Sequence, residues 1–493
     1  MRLRQFLIVS IELNFRTWRS ASAAHRSIWL DQALARETSS PAMVLEGERR
    51  FDVCIVGGGF TGLWAAHRLR DLDPALRIAI VEADVCGSGA SGRNSGAMGH
   101  WWTKLPSLVR LLGAEDAQRV LRASIRELDQ MRAFVGEHGI ECELRRVPSV
   151  WSATAPAQVG AWNGVFRVAE SLGLAAPYRP LAAEELRSMF GKGPYLAGVI
   201  EEGVTRVQPA LLARGLCRAA SKRGVEIFEH SPVTRIAGEP GRIAVHAGRG
   251  RIHADKLVLA ANAWMAHLPE FRPSVVVVSS DIVITEPIPE LLDRLGMRNR
   301  PGGVNSRLML NYGGLTPDGR VYLGRGGGTL AYGARVGPAF DWSAQQSAEV
   351  EDDFRYLYPE LREVPIARAW AGPVDRSTTG LPWFGQLLAD ERVHYAIGYS
   401  GHGVAASALG GRILASAVLG RSDEWTSLAG CFQRARRGGY PPEPIRYLGG
   451  RMVRAAVARK ELAERESRTP SRLDRMLASF APATITDSRP RAA

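Results

Sequence analysis

The sequence predicts an α/β protein: a Rossmann-like domain assembled from discontinuous segments, with an inserted α+β domain whose sheet is mostly antiparallel. Three observations predict it. From Phe51 the run FDVCIVGGGFTGLWAAHRLRDLDPALRIAIVEA reads as a buried strand, a glycine turn, an amphipathic helix and a second buried strand. Near the far end, VHYAIGYSGHGVAASALGGRILASAVLG at 393–420 repeats the order of strand, glycine turn and helix. Between them, 270–335 is rich in β-branched runs punctuated by Gly and Pro. A chain of 493 residues is long enough for two or three packed domains.

The elements follow in order. Residues 1–45 show no sustained period and read as a loosely attached arm with one short helix near 27–35, its first twenty residues expected to be disordered. After the βαβ unit, 105–138 is helical and 141–152 is β-like. An amphipathic helix at 210–223 precedes VEIFEHSPVTRIAGE, IAVHAG and ADKLVLAANAW, a small meander and a returning buried strand. A helix is expected at 344–358, and a basic helical tail at 444–481. The Rossmann-like domain therefore takes 46–138, 200–269 and 365–430; the insert takes 139–199 and 270–364; the basic, partly helical tail takes 431–493.

Composition narrows the function. Hydrophobic residues at 45% and charged residues at 23% exclude global disorder, a collagen-like repeat and a coiled-coil rod. The net charge of +13 comes from 63 basic and 50 acidic residues, and only Lys104, Lys192, Lys222, Lys256 and Lys460 are lysines. The arginines are scattered, without an aromatic RNA-binding stretch or zinc-finger spacing, so no nucleic-acid partner is expected. Five widely separated cysteines without a C-x-x-C read as reduced thiols in the cytoplasm, and no metal site is expected. Glu12 interrupts the N-terminal apolar run and no uninterrupted run reaches membrane-spanning length, so no integral membrane segment is expected.

Gly57, Gly59 and Gly62 form G-x-G-x-x-G directly after the first strand, with Phe60 and Thr61 opening the helix. Gly57 permits the tight turn, Gly59 lets a diphosphate approach the main chain, and Gly62 lets helix and strand pack closely. The helix start then offers unpaired N–H donors to two phosphate charges. Glu82 ends the second strand, where its carboxylate accepts hydrogen bonds from an adenosine ribose and argues against a 2′-phosphate. The next segment, CGSGASGRNSGAMGHWW at 86–102, has glycines at 87, 89, 92, 96 and 99, so its backbone can lie against a flat group.

With that second loop the chain resembles the D-amino-acid oxidase (DAO) superfamily of FAD-dependent amine oxidoreductases, in which such a fingerprint precedes a GASGRN-like loop. RAWAGPVDRSTTGLPWFGQL at 368–387, which holds Gly372, and the 393–420 segment resemble the family's closing flavin segments. Within the superfamily, SIWLDQAL and YLGGRMVRAAVARKE look most like the gamma-glutamylputrescine oxidoreductase-like branch. The resemblance implies noncovalent FAD, with Ser91, Arg93, Asn94, Ser95 and Gly96 beside diphosphate and isoalloxazine, and Val233 pairing its main chain with the adenine edge. It implies a strand ending at Gly398, a turn through Ser400, Gly401, His402 and Gly403, and a helix from Val404 whose positive end faces the flavin pyrimidine.

Three residues stand as catalytic candidates: His402 in the closing turn, and Tyr312 and Arg325 on the inserted sheet, which in the family covers the flavin. Arg325 suits a substrate carboxylate. His100, Trp101 and Trp102 are either pocket walls or core aromatics. Several family members place a lysine near flavin N5, yet no lysine lies between Lys256 and Lys460, so oxygen chemistry would need another cation such as His402. The expected activity is oxidation of the C–N bond of an amine or amino acid by hydride transfer to the flavin, with O2 or another electron acceptor. A 2-hydroxy-acid or polyol dehydrogenase, or a flavin-binding subunit docking through its basic tail, remains the alternative.

Overall fold

The structure, a computed structural model, describes residues 10–11, 21–38, 43–436 and 438–482. The expectation of disorder for residues 1–20 falls mostly outside them, as does the end of the basic tail.

Two nine-stranded sheets organise the chain. The first runs Ser10–Ile11, Val233–Glu239, Arg242–Ala247, Arg249–Leu259, Glu46–Val56, Ile78–Val81 and Glu226–Phe228, with Asp390–Ile397 and Trp383–Leu387 joined beside Arg249–Leu259. Its centre is parallel: Arg249–Leu259, Glu46–Val56, Ile78–Val81 and Glu226–Phe228 pair in that order, and Asp390–Ile397 runs parallel to the end of Arg249–Leu259. Helices cover one face, which takes Ile78 and Ile80, while strands and short 3-10 turns cover the other, which takes Ala79 and Val81, so the all-apolar IAIV is buried on both sides. The fingerprint helix Phe60–Leu72 and the closing helix Gly403–Val418 pack together so closely that a Cβ on Gly411 would lie 2.6 Å from Trp64 Cβ.

The second sheet runs Ile366–Ser377, Val275–Thr285, Val321–Leu330, Asn311–Leu315, Gly302–Asn305, Arg145–Ala153, Ala197–Arg206 and Ala97–Met98, with Arg179–Leu181 beside Ala197–Arg206. Among the described residues of this sheet only Gly302–Asn305 against Arg145–Ala153 pairs in parallel. Strand alternation gives its two faces different neighbours. Ile282, Ile284 and Tyr322 join the core that contains the fingerprint and closing helices, while Val283, Val321 and Leu323 pack on Ala344–Leu357.

Several expectations change. Ala197–Arg206 and Ile366–Ser377 are strands of the second sheet, although the sequence reading put 200–206 and 366–377 with the first domain. The helix expected over 105–138 is broken at Gly113, whose φ of +86° ends Leu105–Leu112 and lets Ala114–Glu137 start in a new direction. The arm is not loosely attached. Ser27 accepts from Leu30 N–H to cap Ile28–Ala35 and donates to Gly92 O at 2.7 Å, Trp29 is buried edge-on against Tyr322 and Trp370, and Asp31 pairs with Arg368. The tail is docked as well: Arg454 donates to Gly327 O, Gln346 and Glu349, and Glu461 accepts from Arg307 and Met309 N–H. Its cations are therefore largely spent within the chain, Arg446 on Arg272 O, Arg459 on Asp474 and Lys460 on Glu464.

Candidate functional site

The first turn is built as its spacing predicts. Gly57 has φ +110°, and a Cβ there would sit 2.6 Å from Ala260 O. A Cβ on Gly62 would lie 2.0 Å from Gly57 O, so only glycine lets the helix fold back onto the turn. Gly59 is the N-cap of Phe60–Leu72 and supplies no side-chain cap, while a Cβ on it would meet only Ser91 Oγ at 3.1 Å. The main-chain donors of the helix start are thus left open for an anion. One is taken: Phe60 N–H donates to Ser91 Oγ at 2.8 Å, which leaves the serine's own proton to donate elsewhere.

Glu82 stands under this turn. Its carboxylate accepts from Gly58 N–H at 2.8 Å and Asp84 N–H at 3.0 Å, and burial raises its pKa to about 7 against the lowering by those two bonds. Ser231 N–H donates to Glu82 O at 2.9 Å, which brings the segment leading into Val233 alongside. Val233 itself is buried in the core of the first sheet and faces Ala247 across the ladder.

The glycine-rich loop is held in place by its own side chains and by the second sheet. Arg93 is a clamp: its Nε donates to Ser88 O at 2.7 Å and its Nη1 to Asp341 at 2.6 Å and Ala371 O at 3.2 Å. Trp370 Nε1 donates back to Arg93 O at 3.0 Å. A guanidinium so occupied holds the loop against the second sheet, with Gly372 leaving room for its side chain at 3.3 Å. Asn94 folds the loop on itself, donating to Ala90 O and Ser91 O and accepting from Gly96 N–H. Gly96, at φ +70°, packs on Val207 O, and Ser95 O accepts from the Tyr322 hydroxyl at 3.1 Å. The loop's next residues, Ala97–Met98, pair with Thr205 and Arg206 and weld it into the second sheet.

The last turn mirrors the first. Gly398 has φ +87° and donates to the Asp375 carboxylate at 2.5 Å; Gly401 has φ +90° and open space around its missing Cβ, Val374 lying 3.9 Å away. Ser400 accepts from Ser377 N–H and donates to Gly398 O. His402 is the N-cap of Gly403–Val418 without a side-chain cap bond, and Val404 is buried just inside the helix. The two turns touch: Thr61 donates its hydroxyl proton to Tyr399 Oη at 2.9 Å.

One residue that sequence reasoning missed sits here. Lys104 is 4% exposed, its ammonium lies 3.8 Å from where a Cβ on Gly380 would be, and its charge acts on His402. Burial, then Lys104, then Arg376 push His402 well below the usual imidazole range, so it is neutral at pH 7. His402 is therefore not the cation of the site; Lys104 is. His402 Nδ1 is buried without a hydrogen-bond partner among the described residues.

Of the candidates on the second sheet, Tyr312 shares the core that contains the flavin segments and hydrogen-bonds Ser280 Oγ at 2.7 Å. Burial holds its phenol above the usual range, so it stays protonated. Arg325 is placed otherwise. It occupies the alternate strand position, facing Ala344–Leu357, where it donates to Glu349 at 2.8 Å and lies 3.6 Å from Asp353. It is a structural ion pair on the far face and is not available to a substrate carboxylate. Trp101 and Trp102 are core aromatics, and His100 Nε2 bonds Glu201 at 2.6 Å while its Nδ1 is buried without a partner among the described residues.

These residues fit FAD. Two helix starts without side-chain caps, the clearance at Gly401 and the orphaned His402 Nδ1 leave donors unpaired in the two turns that carry Glu82 and Lys104.

Comparison with known proteins agrees. The model of a family described as FAD dependent oxidoreductase (DAO) matches residues 52–417. A probable oxidoreductase, OrdL, of Rhizobium meliloti (strain 1021) is 29% identical over 419 residues, covering 83% of this chain and 91% of that one. The gamma-glutamylputrescine oxidoreductase of Escherichia coli (strain K12) is 26% identical over 387 residues, covering 77% and 86%. Among solved structures, glycine oxidase from Geobacillus kaustophilus superposes with a TM-score of 0.61 at 22% identity, over 76% of this chain and 96% of that one.

Proposed function

The chain belongs to the FAD-dependent oxidoreductase (DAO) family, and from that premise we propose that it oxidises the C–N bond of a primary or secondary amine or amino acid, the imine then hydrolysing in water. The observation that carries the reading is the pair of glycine-led helix starts joined by Thr61 and Tyr399, one beside a carboxylate and the other beside a buried lysine. Relatives named as gamma-glutamylputrescine oxidoreductase and glycine oxidase support an amine or amino-acid substrate.

FAD, held noncovalently, supplies the chemistry when bound by accepting a hydride from the carbon that bears nitrogen. The chain's own residues do the rest. The open N–H groups after Gly59 and the Ser91 hydroxyl hold the diphosphate, and Glu82 accepts from the ribose hydroxyls. Lys104 and the start of Gly403–Val418 favour negative charge where the ring's pyrimidine edge belongs, an electrostatic preorganisation that needs no proton transfer. His402, kept neutral, offers one hydrogen bond without competing for that charge. Tyr312, kept protonated and oriented by Ser280, is a hydrogen-bonding group toward the substrate side. No helix among the described residues is long and apolar enough to cross a membrane, and five buried cysteines, all unpaired, suit a reducing compartment such as the cytoplasm.

Anaerobic mixing of the yellow holoenzyme with a panel of amines and amino acids tests the proposal: flavin absorbance bleaches with at least one class. Failure with every amine overturns it, and bleaching by a 2-hydroxy acid but not its amino analogue replaces it with the dehydrogenase alternative. Repeating the reduction with O2 or artificial dyes identifies the electron acceptor.

A further inference from the structure

The far face of the second sheet holds a charged group that the proposed reaction does not use. Arg300, in the loop before Gly302–Asn305, is 6% exposed, and its Nε, Nη1 and Nη2 are all buried with no hydrogen-bond partner among the described residues. Its guanidinium lies 4.0 Å from the ring centroid of Tyr358 and 5.5 Å from that of Phe190. It lines a cavity of about 30 Å³ whose polar wall includes Tyr195, Tyr358, Ser152, Thr154 and Asn305.

Arginine differs from the other buried cations in having no way out. A buried lysine or histidine sheds its proton when it lacks a counter-charge; a guanidinium does not. Burying it without an acceptor is among the costliest arrangements a fold can contain. The aromatic rings cover its faces, which directs the N–H donors outward in its own plane toward an in-plane acceptor. Among the described residues no carboxylate forms an ion pair with it. Glu360, whose charge also acts on the Tyr195 phenol, accepts from Lys192 N–H at 2.5 Å through one oxygen while its other oxygen is buried without a partner among the described residues, and the Tyr195 phenol, held protonated by burial and by Tyr358, donates to Leu357 O at 3.5 Å.

We propose that Arg300, with the phenols of Tyr195 and Tyr358, forms a binding site for a small monoanion, a halide or the carboxylate of a short-chain acid, on the outer face of the second sheet. The cavity exceeds the roughly 10–15 Å³ that one water requires, and it is too small for a nucleotide or a phosphorylated metabolite. The cavity lies on the sheet face opposite the flavin core, with Tyr312 of the intervening strand as the residue it shares with the substrate side. Val150, Phe190 and Tyr195 pack together on this side, and Leu323 packs with Leu357 and Tyr358, whereas the neighbouring Tyr322 faces the flavin core. The proposal therefore stands whatever the substrate proves to be.

The test uses holoenzyme exchanged into halide-free sodium MOPS, whose bulky anion does not fit, with ionic strength held constant. Replacing MOPS by chloride, formate or acetate raises the unfolding temperature saturably by a few degrees. Arg300→Met abolishes that response and unfolds no earlier than wild type in MOPS, because it removes the uncompensated charge. A response to chloride alone assigns a halide, and one to formate or acetate at lower concentration assigns a carboxylate. Bromide-soaked wild-type crystals give a direct reading that needs no variant: an anomalous peak beside the Arg300 guanidinium. Identical unfolding in all salts together with no bromide peak overturns the proposal, as does a response retained in Arg300→Met. A wild type without salt response and a Glu360→Gln variant that acquires one also overturns it, by showing that Glu360 is the counter-ion.

Discussion

The first and last glycine turns share a plan and differ in their surroundings. Each follows a buried parallel strand, contains a glycine at positive φ and leads into a helix without a side-chain cap. At the first, Gly57 is wedged against Ala260 O and a carboxylate, Glu82, stands beneath; at the last, Gly401 faces open space and a lysine stands close by. Equal helix ends therefore present different sites, because the charge comes from the adjoining strand end at the first turn and from a segment remote in sequence at the last. The helix end supplies affinity for negative charge in both places; the charged residue determines which part of a dinucleotide belongs there.

The strongest challenge to this contrast is a matched pair of substitutions. Gly57→Ala places a methyl group on a carbonyl oxygen in a backbone conformation that alanine resists, and is expected to give insoluble or colourless protein. Gly401→Ala meets only the backbone cost, about 1–2 kcal/mol, and keeps bound FAD; absorbance and thermal unfolding compare the two. Next is pH. The ribose hydroxyls donate to ionised Glu82, whose pKa in the free protein is about 7, so FAD affinity is full above pH 7 and falls as pH drops through it, approaching about tenfold per pH unit. Glu82→Gln flattens that profile and binds more weakly at pH 8, as titration of the apoprotein will show.

At the other turn, Lys104→Met removes the cation and makes the two-electron flavin potential more negative, by about 30 mV for each ~1.4 kcal/mol of lost stabilisation. Dye equilibration measures it, and an unchanged potential would detach Lys104 from the ring. The smallest effect concerns the link between the turns: Thr61→Val and Tyr399→Phe should each destabilise the holoenzyme, with a coupling energy in the double-mutant cycle of about 1 kcal/mol.

Much of the first turn was legible because its chemistry lies in local spacing. The order of strand, G-x-G-x-x-G and terminal Glu82 is enough to place each group, and the Cβ clearances at Gly57 and Gly62 bear out the steric roles read from the sequence. The protein partners of Arg93 and Arg325 went unread for a common reason. Whether an arginine meets a ligand or a carboxylate depends on which face its strand or loop shows, and that is decided by pairing with Asp341 and Glu349, partners that periodicity does not reveal. Lys104 escaped notice because burial of a lysine is a tertiary property; its only sequence signal was its place directly after the flavin loop. The break at Gly113 was available in principle, as a lone glycine within a helical pattern, but an exposed glycine is also tolerated inside helices.

The hydrogen bond from Thr61 to Tyr399 spans 338 positions of the chain. A ribosome working at roughly 5–20 residues per second takes on the order of 20–70 s to cover that interval. Once Arg249–Leu259 and Ala260 have joined, the nascent chain carries a diphosphate cradle whose ring-binding counterpart has yet to be translated. Loading of the coenzyme is for that reason a late event in biogenesis, and the growing polypeptide must stay soluble in the meantime on its own first sheet, with the flank of Arg249–Leu259 that will receive Asp390–Ile397 still bare.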